Sequence, residues 1–165
     1  MQKRVGDHLK GGRAFGATQE SEAAVHAALR WLEQDKGQPF FAWVHLYDPH
    51  SPYEPPEPYR SQFARRGPAG LYDGEIAYVD AMVGKLVEAL RARKVLDDTL
   101  IVVTSDHGEH FGEHHMLEHK FSLYEPLLHV PLIVRAPGRV AAHLRIRTPV
   151  PASSTHPTPP TTYPV

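Results

Sequence analysis

A carboxylate and an imidazole stand side by side in Thr104-Ser105-Asp106-His107-Gly108-Glu109, where an apolar run ends. Both can turn toward one cation if the backbone bends as it leaves a rigid strand, and Gly108 offers freedom to bend. Mixed oxygen and nitrogen ligation suits manganese, zinc or iron, and suits magnesium or calcium less well. The competing reading is a helix start capped by Asp106, with His107 in solvent. A second candidate is Asp48-Pro49-His50-Ser51-Pro52-Tyr53. Prolines flanking His50 restrict the backbone, so the imidazole is presented from a stiffened loop. Such an imidazole can donate to an anionic oxygen or protonate a leaving group. Taken alone, a proline-rich turn with an incidental histidine is the simpler account. The third candidate is Lys120, in His119-Lys120-Phe121-Ser122. Beside a cation, an ammonium can hold a tetrahedral anion and stabilise its transition state; most lysines, however, are ordinary surface groups.

The same region offers a rival. His110-Phe111-Gly112-Glu113-His114 and His115-Met116-Leu117-Glu118-His119 both match H-x-x-E-H, an inverted zinc-peptidase pattern. That pattern needs a continuous helix, which Gly108 and Gly112 weaken. A segment so rich in His and Glu also matches by chance. The chain has 12 histidines, five of them within His107–His119, and no cysteine. Disulfides, zinc-thiolate sites and cysteine nucleophiles are therefore excluded within it. Lysine plus arginine (18) nearly balance aspartate plus glutamate (19), so charge favours neither nucleic acid nor an anionic membrane as partner.

Several elements must position these groups. Thr18 can cap a helix through about Gln34, ended by Gly37 and Pro39. Phe40–Leu46 reads as a buried strand. Residues 47–70 hold six prolines and read as loop, placed where α/β sheets bind ligands. Ile76, Val79, Val83, Leu86, Val87 and Leu90 mark one face of a helix over about 72–94. Leu100–Thr104 and Val130–Arg135 are two further expected strands. The order predicts an α/β domain with a mixed, mainly parallel sheet flanked by helices. Residues 1–17 read as a loop, 18–147 as the domain, and 148–165, rich in proline and threonine, as a disordered tail. The opening residues carry charge without an apolar core, so no signal peptide is read there, and location stays open.

Taken in order, FFAWVHLYDPHSPY, YDGEIAYVDAMVGKLVEAL, TLIVVTSDHGEHFGEHHMLEHK and LYEPLLHVPLIVRAPG resemble sulfatases of the alkaline phosphatase superfamily, over about Ala23–Val140. The resemblance implies a fragment of the alkaline-phosphatase-like sandwich and a metal-dependent sulfuric ester hydrolase. The metal would be manganese, zinc or calcium. Asp106 and His107 would be its ligands, His50 and Lys120 would contact the sulfate or phosphate group and act in catalysis, and His114 would support the site. The implied partner is a small-molecule or glycan sulfate ester, or a phosphate ester.

Calcium-type sulfatases usually carry asparagine where this chain has His107. The Asp-His pairing is closer to the phosphonate and phosphodiester hydrolases, which are the alternative activity. The family nucleophile lies in a Cys/Ser-x-Pro-x-Arg motif that this sequence lacks. The resemblance therefore implies a truncated member opening at an internal Met1, with only the downstream part of the active site. Such a chain is expected to be catalytically inert alone while still binding a metal weakly.

Overall fold

The computed structural model describes residues 17–34 and 37–147. The loop expected over 1–17, apart from Ala17, and the tail expected over 148–165 lie outside these residues.

Helix α1 runs Ala17–Gln34, opening one residue before the expected Thr18 cap. Its buried positions, Ser21, Val25, Ala28 and Leu32, recur at three- and four-residue spacing and make one face. Short helix α2, Tyr59–Phe63, leads through a 3₁₀ turn at Ala64–Arg66 into the long helix α3, Gly67–Ala92. Val25 packs with Tyr78 and Met82 in one cluster; Leu32 packs with Leu90 and Leu96 in another. This rotates the buried face of α3 away from the one expected. Glu75, Tyr78 and Met82 are buried, whereas Ile76 is exposed. The helix is apolar on more than one side, and its contact with α1 decides which side is covered. Gly74 permits close approach, since a Cβ there would lie 2.9 Å from Pro55 Cγ.

Strand β1, Ile101–Thr104, pairs antiparallel with β4, Leu132–Arg135, opposing Val102 to Val134 and Thr104 to Leu132. Between them β2, His110–Phe111, pairs antiparallel with β3, Leu117–Glu118, and the short helix α4, Glu125–Leu128, follows. Helices packed beside these ladders give the α/β class expected, but both ladders among the described residues are antiparallel. The Phe40–Leu46 run forms neither helix nor ladder. Phe40–Trp43 are all exposed, and exposure alternates only beyond them, with Val44 and Leu46 half-buried on either side of exposed His45. That is the period of an extended chain without a described partner strand. The outward face of the β1–β4 ladder, formed by Val102, Val134 and Leu132, is likewise exposed.

Candidate active site

Three segments meet beyond the end of β1. The first carries His50 and is fixed from the helices behind it. Ser21 Oγ of α1 accepts the backbone N–H of Tyr47 (3.0 Å) and of Asp48 (3.1 Å). The Glu75 carboxylate of α3 accepts the N–H of His50 (3.0 Å) at one oxygen and that of Glu54 (2.7 Å) at the other. Glu75 is wholly buried, and burial pushes its carboxyl up to about 7, with the charges of Asp48 and Glu54 adding to the rise; its two N–H partners pull the other way. The His50 ring stacks on Tyr47 at 4.4 Å. Tyr53, Tyr72 and Phe111 form a ring trio, with centroids 5.1–5.8 Å apart, that ties this loop to α3 and β2.

The second segment is Ser105–Glu109. Ser105 Oγ donates to His107 O (2.6 Å), and His107 N–H donates to Asp106 Oδ1 (3.0 Å), bending the chain as β1 ends. Gly108 serves by its size: a Cβ there would lie 2.0 Å from Pro126 O. The close approach lets Gly108 N–H reach Leu127 O (2.8 Å) and Glu109 N–H reach Pro126 O (3.1 Å). No helix starts at this point, so Asp106 is not a helix cap. Its Oδ1 lies 3.8 Å from His107 Nε2. Burial raises the Asp106 carboxyl, but His107, the local N–H bonds and His45 together hold it below the ordinary value.

The third segment runs from β3 to Lys120. The His119 ring stacks on His107 (4.2 Å, 25°) and meets His50 edge-on (5.6 Å). Its Nδ1 lies 3.4 Å from Glu109 Oε2. Burial, then the Glu109 carboxylate, raises the neighbouring Tyr53 phenol. Lys120 Nζ pairs with Glu118 in an exposed ion pair. Hydrogen bonding and charge from Lys120 lower the Glu118 carboxyl, and His119 and His50 lower it further.

His50 and His107 thus meet through His119, Asp106 sits beside His107, and Lys120 follows at the rim. His114 has different ring neighbours, stacking on Tyr124 (3.9 Å) and meeting His110 edge-on (6.4 Å). The peptidase alternative fails on geometry. Its residues occupy β2, a 3₁₀ turn and β3, with positive φ at His114, His115 and Glu118, so no continuous helix presents both histidines. Glu75, Ser21 and Glu109 were not singled out from sequence, and His119 entered only through the H-x-x-E-H match that the geometry rejects. Ser21 and Glu75 share the buried helix faces Ser21–Val25–Ala28–Leu32 and Glu75–Tyr78–Met82, which only the packing of α1 on α3 reveals.

The donor chemistry fits a divalent cation at Asp106 and His107. A carboxylate oxygen and an imidazole nitrogen 3.8 Å apart can share one ion, and His107 Nδ1 is already occupied by Gly108 O (2.9 Å). Among the described residues no group of three or more such side chains is gathered in ligand geometry.

The chain is similar in fold to the phosphonate monoester hydrolase of Agrobacterium radiobacter, with TM-score 0.67 and 24% identity, covering 84% of this chain and 36% of that one. That likeness defines an alkaline-phosphatase-like α/β fold. The sulfatase family profile matches residues 2–158, and the chain belongs to the sulfatase family. Arylsulfatase K of Rattus norvegicus is 29% identical over 160 residues, covering 89% of this chain and 26% of the relative. Choline-sulfatase of Rhizobium meliloti (strain 1021) is 42% identical over 67 residues, covering 41% of this chain and 13% of the relative. The chain thus spans about a quarter or less of the length of these relatives.

Proposed function

We propose that this chain supplies the metal-binding and anion-gripping side of a sulfuric ester hydrolase site. The observation that carries the reading is the meeting of His50 and His107, from separate segments, against one ring, with Asp106 Oδ1 3.8 Å from His107 Nε2. Asp106 and His107 would hold the cation; an imidazole ligand favours manganese or zinc over calcium. Once bound, the metal lowers the nucleophile's pKa and neutralises the transferred group. His50 Nδ1 is committed to Ser51 O (2.7 Å), so Nε2 is the atom left to face a ligand. As an imidazolium it donates to a sulfate oxygen and can give its proton to the leaving group. Lys120 adds a second positive charge against the sulfate. His114, on Tyr124, would support the segment without touching substrate. The chain has no cysteine and no serine in a Cys/Ser-x-Pro-x-Arg setting, so alone it binds without turning over.

Sulfate esters are the preferred substrate class, because the family and the named relatives are sulfatases. His107, where calcium-type members usually carry asparagine, keeps phosphonate or phosphodiester hydrolysis as the second reading. Calorimetric titration of the full chain with sulfate and with phenylphosphonate, with and without manganese, separates them. Sulfate affinity is expected to rise with manganese and to fall about tenfold in His50→Ala and in Lys120→Ala, the weight of one hydrogen bond to a charged group. Sulfate binding indifferent to the metal and to both residues would overturn the reading. Chelator-sensitive release of nitrophenol from 4-nitrophenyl sulfate would overturn the inert state of the isolated chain.

A further inference from the structure

We infer that Glu75 is a positioning residue for His50, and that its carboxylate must be ionised for His50 to hold an anion; this rests on the reading of His50 given above. Glu75 lies on α3 with no exposed surface, and both its oxygens serve the loop in front of it. Oε2 accepts the N–H of His50 (3.0 Å) and Oε1 accepts that of Glu54 (2.7 Å). The two donors bracket Ser51-Pro52-Tyr53, so one side chain clamps both ends of a bend. The carbonyl that orients the His50 ring lies inside that bend. Nδ1 donates to Ser51 O at 2.7 Å, which leaves Nε2 for a ligand. The clamp therefore reaches the anion contact through Ser51, and Glu75 itself needs no contact with substrate.

A carboxylate accepts at both oxygens, whereas the acid carries a hydrogen on one of them that must find an acceptor of its own. Protonation thus loosens one end of the clamp. The titratable groups around Glu75 are Asp48, His50 and Glu54 on the loop and Tyr72 on its own helix. Helix α1 meets the loop with Ser21, which stays neutral. Burial pushes the Glu75 carboxyl up to about 7 against the pull of its two N–H partners, and Asp48 and Glu54 add to the rise. The clamp consequently opens and closes near neutral pH. Fold and site want opposite forms: the proton relieves a buried charge and stabilises the fold, while its release completes the clamp.

The test uses the full 165-residue chain with manganese. Wild type, Glu75→Gln, His50→Ala and the double variant are titrated calorimetrically with sulfate at about pH 6 and about pH 8, with far-ultraviolet circular dichroism as the fold control. Glutamine has one acceptor oxygen and no charge, so it stands for the protonated acid at every pH. At about pH 8, Glu75→Gln is expected to weaken sulfate binding about three- to tenfold, within the loss shown by His50→Ala. The double variant should bind no more weakly than His50→Ala, because Glu75 acts through His50. At about pH 6, wild type and Glu75→Gln should agree within about twofold. If His50→Ala weakens sulfate but Glu75→Gln matches wild type at both pH values, the inference fails and the anion reading of His50 stands. If His50→Ala binds as wild type does, that reading falls and takes the inference with it. A double variant that adds the two losses in full makes Glu75 a general support of the fold and overturns its role through His50. Should Glu75→Gln lose its fold, amide NMR of the wild type decides. The Glu54 N–H should shift with a midpoint of about 7, and a Glu54 amide unmoved through that range overturns the inference.

Discussion

The loop around His50 hangs from two buried side chains, Ser21 on α1 and Glu75 on α3, which between them accept four backbone N–H groups. The segment that brings Lys120 turns instead through positive φ at His114, His115, Glu118 and Phe121, and its ammonium is paired only at the surface. Both bring a nitrogen-bearing side chain to the end of β1. One arrives fixed by hydrogen bonds to the buried side chains of Ser21 and Glu75; ordering the other, exposed side chain costs conformational entropy. On the proposed reading, His50 would set where an anion sits and Lys120 would adapt to it. Ser105–Glu109 belongs with the fixed half, because Gly108 and Glu109 are bonded directly to the backbone of α4.

Substitutions on the fixed side should cost the most. Glu75→Ala leaves the N–H groups of His50 and Glu54 without their acceptor, at about 1–3 kcal/mol for each that stays dry. Denaturant unfolding should show a loss of about 3 kcal/mol, and a loss under 1 kcal/mol would mean the loop is not hung from that carboxylate. Gly108→Ala forces a methyl against Pro126 O, and overpacking of this kind costs about 1–3 kcal/mol. It should also move amide resonances of both 105–109 and α4; a silent substitution would show the approach to be looser than the structure has it.

A smaller effect is the pH dependence of Glu75. Its folded value, about 7, lies above the ordinary 4.5, so the folded state holds this proton where the unfolded chain releases it. The resulting stabilisation is full below about 4.5 and is lost as pH rises through about 7. Glu75→Gln should flatten that descent, and a variant retaining the wild-type profile would assign the titration to another group. The smallest effect belongs to the adaptable side. Lys120→Ala should change stability by less than about 0.5 kcal/mol, as expected for an exposed ion pair, while still weakening sulfate binding. A loss above 1 kcal/mol would place Lys120 among the fixed groups.

Much of this layout was legible in the residues. The β1 strand and the polar turn after it follow from an apolar run broken by Ser-Asp-His-Gly, and the proline-rich loop marks where His50 is held. The covered face of α3 was not legible, because Ile76, Val79 and Val83 look as apolar as Tyr78 and Met82. Only the position of α1 chooses between them. The Phe40–Leu46 run has a strand's composition and, beyond Trp43, its alternation, yet a ladder also needs a neighbour, which no single run encodes. Glu75 and Glu109 escaped notice because a charged residue is ordinarily on the surface, and their burial depends on segments distant in the chain.

The convergence of the three segments can be measured through line broadening of the histidine ring protons by substoichiometric manganese(II). The rings of His50, His107 and His119 should broaden together, while those of His26 and His143, on α1 and beyond β4, stay sharp. Broadening at His107 with His50 left sharp, or equal broadening of all five, would contradict a common site.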